Sequence, residues 1–219
     1  MQISDRGLLE ICEHEGIVPA PYYDSVGVLT YGIGHTKNAG GVDPADLPRG
    51  MPNDLDAAID RAIEVFRADI ARYEARVNAA IKVPLPQHQF DALGSFDLNT
   101  GGIYRAILTR QINAGDPKAS EHFFGWLRPP EIRKRRTAEK RLFDTGDYDW
   151  NGDEIAVWRV DTRGRLHGVL KTITGTELLA RMQRPALAPD TSGLGAETSE
   201  DLIAQIHALT SAHLARPTA

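Results

Sequence analysis

Between positions 54 and 80 the apolar residues Ile59, Ile63, Phe66, Ile70, Tyr73 and Val77 recur at alternating spacings of four and three. That is one face of an α-helix sustained over many turns. A helix this long with a single apolar stripe has to bury that stripe, so the rest of the chain must supply a surface to receive it. The segments after it do so. Helices are expected over 86–98, with Pro86 suited to a first turn, then over 103–113, 116–126 and 130–143.

Ahead of the long helix, Ser4 or Asp5 can cap a first helix that stops at Gly16, a residue suited to ending one. The stretch 22–34 is rich in Tyr, Val, Leu and Thr and is broken by Gly27, Gly32 and Gly34, which predicts a glycine-rich hairpin. Residues 36–53, with Gly40-Gly41 and prolines 44, 48 and 52, are expected to be loop. The order is helix, small sheet, long helix, helical cluster. It predicts an α+β, mostly helical fold with a small β-hairpin lobe, a long connecting helix and a helical lobe.

The pattern changes after about residue 150. A short accessory extension is expected over 151–183, made of a hairpin (156–160 and 165–173) and a helix over 176–182. Residues 184–198 have the Pro, Ala, Gly, Ser and Thr composition of a linker. Leu202, Ile206, Leu209 and Leu214 suit an amphipathic C-terminal helix within 199–219. The principal domain is therefore expected to be 1–150.

Composition excludes several classes. The 219 residues carry a net charge of -5, against the basic face of a non-specific nucleic-acid binder. Cys12 is the one cysteine, so no internal disulfide can form, and its place on the apolar face of the first helix makes it a core residue rather than a nucleophile. The first sixteen residues have no basic start and no long apolar run, so neither a signal peptide nor membrane insertion is expected. The histidines at 14, 35, 88, 122, 167, 207 and 213 show no compact ligand spacing, so no metal or other cofactor is expected. The run 147–153 begins like a calcium loop, but Trp158 stands where the twelfth-position glutamate belongs, and an Asx-rich turn is the better reading.

Two short segments carry chemistry. On a helical wheel Leu8, Ile11, Cys12 and Glu15 share one face, and Glu10 and Glu13 point elsewhere. An apolar setting and the C-terminal end of a helix dipole both favour a protonated carboxyl, as a general acid requires. On that feature alone, a solvated glutamate at a frayed helix end is the better reading. In the hairpin, pairing of 24 with 28 would put Asp24 and Thr30 on one face as diagonal neighbours, a carboxylate and a hydroxyl able to hold a water. An ordinary turn aspartate and a strand threonine fit that too. Together the segments say more, because Gly16 lets the chain turn back and bring Asp24 towards Glu15. Two carboxylates across a cleft are what glycoside hydrolysis needs.

Glu15-Gly16, then Pro21-Tyr22-Tyr23-Asp24, then Leu29-Thr30-Tyr31-Gly32-Ile33-Gly34-His35 resembles the active-site signature of the phage-type lysozymes, glycoside hydrolase family 24. The likeness continues through Gln89 to Leu93, Ser95 to Gly101, Ile112 to Asp116, Trp126, and Arg133 to Gly146, covering about residues 5–150 in order. It implies a two-lobed lysozyme-like fold. It also implies cleavage of the β-1,4 bond between N-acetylmuramic acid and N-acetylglucosamine in peptidoglycan. Glu15 would be the acid, and Asp24 and Thr30 would place the attacking water, with inversion of configuration. By the same carry-over Thr36, Leu98 and Asn99 would line the sugar cleft, His35 would order the hairpin, and Arg135 would stand beside Glu15. The other three basic residues of 133–136 are expected to form a solvated face. The partners implied are peptidoglycan glycan strands, with a holin or a phage particle for delivery. Action is expected in the periplasm after synthesis in a cytoplasm. The rival class is a non-catalytic peptidoglycan-binding or structural part of a phage-like particle, against which the intact Glu15, Asp24 and Thr30 argue.

Overall fold

The computed structural model describes residues 1–148 and 152–183. Helix α1 (Asp5–Glu15) begins where Ser4 accepts a hydrogen bond from the Gly7 N–H (3.1 Å) and ends at Gly16, whose positive φ of 65° turns the chain back. Three antiparallel strands follow in the order β1-β2-β3: β1 (Val18–Tyr23), β2 (Leu29–Gly32) and β3 (His35–Thr36). The hairpin expected over 22–34 therefore has its first strand starting earlier, and His35-Thr36 adds a short third strand. Two 3₁₀ turns interrupt the loop that leads to the long helix α2 (Leu55–Ala80), capped by Asp54.

The predicted stripe of α2 is the one that packs. Ile59, Ile63, Phe66, Ile70 and Val77 are buried and Tyr73 is half-buried. They meet α3 (Gln87–Thr100), a helix buried along most of its length, and behind it lie α4 (Ile107–Asn113) and α5 (Arg133–Thr145). The helix expected over 103–113 is shorter, because Arg105 and Ala106 both donate to the Gly102 carbonyl in a turn before α4. The segment expected as helix over 116–126 is 3₁₀ across Ala119–Gly125.

The C-terminal hairpin has the expected form. Strands β4 (Glu154–Val160) and β5 (Leu166–Thr174) pair antiparallel, and α6 (Gly175–Met182) is capped by Thr174. Its packing differs from that of an accessory piece. Ile155, Val157, Ile173, Leu178 and Met182 belong to the same buried cluster as Leu9, Ile11, Ile63 and Phe96. Ile17 donates to the Ala156 carbonyl (2.8 Å) and accepts from the Trp158 N–H (2.9 Å), so β4 covers the free edge of β1. Residues 152–183 thus share one compact unit with 1–148. The linker expected over 184–198, the C-terminal helix expected within 199–219, and Asp149 and Asn151 of the Asx-rich run all lie outside the described residues.

Candidate active site

Glu15 is the last residue of α1, partly buried, where the chain turns at Gly16. Its Oε1 accepts a 2.5 Å hydrogen bond from Nη1 of Arg135 on α5. A Cβ at Gly34 would stand 3.0 Å from Glu15 Oε2, so the glycine that follows β2 lets the backbone pass close to the carboxylate. Gly34 has φ +72°, a conformation that glycine adopts without strain. Among the described residues nothing donates a hydrogen bond to Oε2. The carboxylate is tethered through one oxygen and open at the other.

The tether is itself fixed. Arg135 is buried, and it also donates from Nε to Glu139 Oε1 (3.1 Å) and from Nη2 to the Ser95 carbonyl (3.2 Å). Its neighbour Arg136 is fully buried over the Phe96 ring, donates to Asn99 Oδ1 (2.7 Å), and lies 2.8 Å from Glu139 Oε2. Burial pulls the Arg136 pKa down to about 10, which leaves it charged at neutral pH. Burial likewise raises Glu139 against the pull of the two arginines. His14, beside Glu15 in sequence, is brought down to about 2 by burial and by Arg135 and Arg136, and so is neutral. The solvated basic face expected of three residues is therefore confined to Arg133 and Lys134, because Arg136 turns inward. Glu10, off the predicted apolar face of α1, is also buried.

On the sheet, the Asp24 N–H donates to the Val28 carbonyl (3.0 Å), the pairing anticipated from sequence. Asp24 Oδ1 accepts from the Val26 and Val28 N–H groups (3.0 and 2.7 Å), an Asx turn that fixes the carboxylate, and among the described residues Oδ2 receives no hydrogen bond. Thr30 is buried and donates its hydroxyl hydrogen to the Val28 carbonyl (3.1 Å), leaving its oxygen lone pairs to accept. Tyr22 pairs with Thr30 across the strands and stands two residues before Asp24, on the same face. Burial pushes its phenol pKa well up, and the charges of Glu15 and Asp24 push it further. The phenol thus senses both carboxylates.

The comparisons with known proteins agree with one another. The family model described as phage lysozyme matches residues 12–139. The chain belongs to the phage lysozyme family. It is 35% identical over 158 residues to an endolysin of Acyrthosiphon pisum secondary endosymbiont phage 1, across 66% of this chain and 99% of that one. Among solved structures, an endolysin from Escherichia coli O157:H7 phage FAHEc1 superposes with a TM-score of 0.56 at 28% identity, over 68% of this chain and 96% of the other. The muramidase domain of SpmX from Asticaccaulis excentricus does so with a TM-score of 0.52 at 27% identity, over 66% and 98%. As a phage lysozyme the chain is a glycosidase with the lysozyme-like α+β fold, and its substrate is peptidoglycan. No helix among the described residues is long and apolar enough to cross a membrane.

The remaining residues singled out from the sequence fall in two places. His35 is buried, with Nδ1 2.7 Å from Asp69 Oδ2 and Nε2 2.7 Å from the Val42 carbonyl, so neither ring nitrogen is free for a sugar. Thr36 is half-buried on β3 opposite Thr30. Leu98 and Asn99 lie at the end of α3, the first half-buried and the second exposed and held by Arg136. Sequence reasoning passed over Tyr22 and the Ser95–Glu139–Arg136 support of this lysozyme's Arg135. Tyr22 carried a usable signal, since period-two alternation puts it on the Asp24 face. The spacing of Arg135, Arg136 and Glu139 on one helix is equally that of a solvated charged face, and only burial distinguishes the two.

Proposed function

We propose that this lysozyme hydrolyses the β-1,4 bond between N-acetylmuramic acid and N-acetylglucosamine with inversion, using Glu15 as general acid and Asp24 with Thr30 to place the water. The observation that carries the reading is the complementary tethering of the carboxylates. Arg135 takes Oε1 of Glu15, and the Asx turn takes Oδ1 of Asp24, so each presents one open oxygen. An oxygen facing an N–H donor acts as acceptor, so the transferable proton of Glu15 belongs on Oε2. From there it passes to the glycosidic oxygen as the bond to the anomeric carbon breaks. The Arg135 guanidinium stabilises the carboxylate left behind. A water that donates one hydrogen to Thr30 Oγ1 and the other to Asp24 Oδ2 turns a lone pair to the opposite face of the sugar. Thr30 suits that task because its own hydrogen is committed to Val28. The new C–O bond then forms on the face away from the leaving group, and Asp24 takes the water's proton.

Delivery to the periplasm by a holin or by carriage in a phage particle belongs to this reading. Thr36, Leu98 and Asn99 are proposed to border the sugar cleft, and His35 to hold the sheet to α2. The deciding experiment digests purified peptidoglycan with wild type and Glu15→Gln. Reducing N-acetylmuramic acid ends should appear by mass spectrometry with wild type, and the variant should fall by at least about 10²-fold. Proton NMR of the first product should show the α-anomer. Release of the β-anomer would replace inversion by retention, and no cleavage by folded wild type would sink the reading.

A further inference from the structure

On the face of the sheet opposite Thr30 and Asp24 lies a cavity of about 420 Å³. Its floor is Pro19, Ala20 and Pro21 of β1 with Tyr31 of β2, and its other walls are the loop 47–53 and the first turns of α2. Tyr31 alternates with Thr30 along β2, so it faces away from the carboxylate side. None of the residues proposed above to act on the sugar lines this cavity.

Most of the lining is apolar, but two guanidinium groups stand in it. Arg49 is exposed and stacks on the Tyr23 ring (5.4 Å to the centroid), and Arg61 is exposed on α2. Among the described residues neither pairs with a carboxylate. The Tyr31 phenol is a third donor. Burial raises its pKa to about 12, partly offset by the charge of Arg61, so it keeps its proton and lies within reach of that cation's field. The Tyr31 ring is buried, and its hydroxyl, which has no hydrogen-bond partner among the described residues, opens on the cavity. A donor opening on a cavity beside two arginines that pair with no carboxylate suits an anionic oxygen.

The loop wall is held in place by the C-terminal hairpin. The Val160 N–H donates to Met51 Sδ (3.4 Å), a Cβ at Gly50 would come 2.9 Å from Thr162 Cγ2, and one at Gly164 would come 3.1 Å from Arg49 Nη1. The family match ends at residue 139, so these contacts come from a part of the chain beyond it. A segment beyond the family match thus steadies the far wall of a pocket distinct from the carboxylate face.

We propose that this cavity is a second binding site for a short acidic peptide, with the peptide backbone and methyl groups on the proline floor and a carboxylate between Arg61, Arg49 and the Tyr31 hydroxyl. Given the peptidoglycan reading above, on which this rests, the natural source is the peptide stem of the same polymer. Stem peptides are short, partly apolar and rich in free carboxylates. Binding one there holds the glycan strand near the sheet whose other face bears Asp24 and Thr30.

The test titrates full-length protein with the tripeptide L-alanyl-γ-D-glutamyl-meso-diaminopimelate at up to millimolar concentration. Wild type, Arg61→Ala and Arg49→Ala are followed by NMR, and hydrolysis of peptide-free glycan strands is assayed on the same samples. The expected result is saturable binding by wild type, weakened about tenfold or more by either substitution and by raised salt, with unchanged hydrolysis of the bare strands. No shift with wild type, equal binding by Arg61→Ala, or equal binding of the fully amidated tripeptide would each overturn the proposal. Peptide binding without any hydrolysis by wild type would instead remove the muramidase reading and leave the site in place.

Discussion

Leu178→Ala tests whether residues 152–183 are part of the lysozyme core or an attachment to it. Leu178 is fully buried on α6 and belongs to the main core cluster with Ile155, Ile173 and Met182. At the start of that helix a Cβ on Gly175 would stand 3.0 Å from Leu9 Cδ1, so α6 rests on the helix that ends in Glu15. Truncating such a leucine loses the transfer energy of the removed carbons and leaves a cavity that rigid neighbours fill poorly, about 2–5 kcal/mol in all. In a domain of this size each kcal/mol moves Tm by about 2–4 °C, which gives a fall of roughly 4–20 °C. Circular dichroism melts and urea unfolding measure it, with a single transition and an unchanged slope in denaturant. Leu166→Ala on the same hairpin is the control, since Leu166 is 40% exposed and should cost no more than about 0.5 kcal/mol. A loss at Leu178 no greater than at Leu166 would refute the shared core. So would two separate transitions in wild type.

Gly34→Ala should lower kcat more than it raises KM and cost about 1–2 kcal/mol of stability from the left-handed backbone alone. Gly27→Ala separates the causes, since Gly27 has φ +82° and nothing within 4 Å of its Cβ position, whereas at Gly34 the Cβ meets Glu15. It should show the strain without the kinetic loss. Arg135→Met should destabilise the fold by about 3–5 kcal/mol in denaturant unfolding, because it leaves Glu15 and Glu139 without their shared cation in a buried site. Burial works against the His35 imidazolium, but the hydrogen bonds to Asp69 and Val42 and the Asp69 charge outweigh it and raise its pKa above 6.5. The stabilisation this brings is full below the unfolded-state value and is lost as pH rises through the raised folded value. Asp69→Asn should move the His35 titration to lower pH in ring-proton NMR and flatten that loss, and an unmoved titration would contradict the account.

The large features were legible because local chemistry and burial agree in them. The α2 stripe, the Ser4 and Gly16 ends of α1, and the 24-to-28 pairing each have one physical solution, and the chain adopts it. The misreadings came where burial is decided by distant residues. Arg133 to Arg136 has the composition of a wet helix face, yet Arg136 is enclosed because α3 brings Phe96 and Asn99 over it. The hairpin of β4 and β5 looks like an appendage, since nothing in its own pattern reveals that β1 offers it an open edge at Ile17. The turn at 102–106 replaced a predicted helical start because Asp97 Oδ1 accepts the Ile103 N–H (3.0 Å) and Thr109 donates to the Ile103 carbonyl (2.6 Å). Those side chains lie six residues away on either side, outside the range of helix periodicity.

The tethering of the two carboxylates also bears on why they stand on different supports. Glu15 is held by a cation whose other donors are bound to Glu139 and Ser95, so moving its carboxylate means moving a buried network on α3 and α5. Asp24 is held by backbone N–H groups of its own turn, a local support that needs nothing from the helical lobe. If Glu15 is the acid, as proposed, a cation that strengthens its hold as charge develops on the carboxylate favours proton release. In the proposed mechanism the carboxylate that positions water needs only a fixed direction. Neutral dipoles supply that direction without pinning the sheet to α5. The two carboxylates are thus anchored independently, Glu15 through the helical lobe and Asp24 through its own turn.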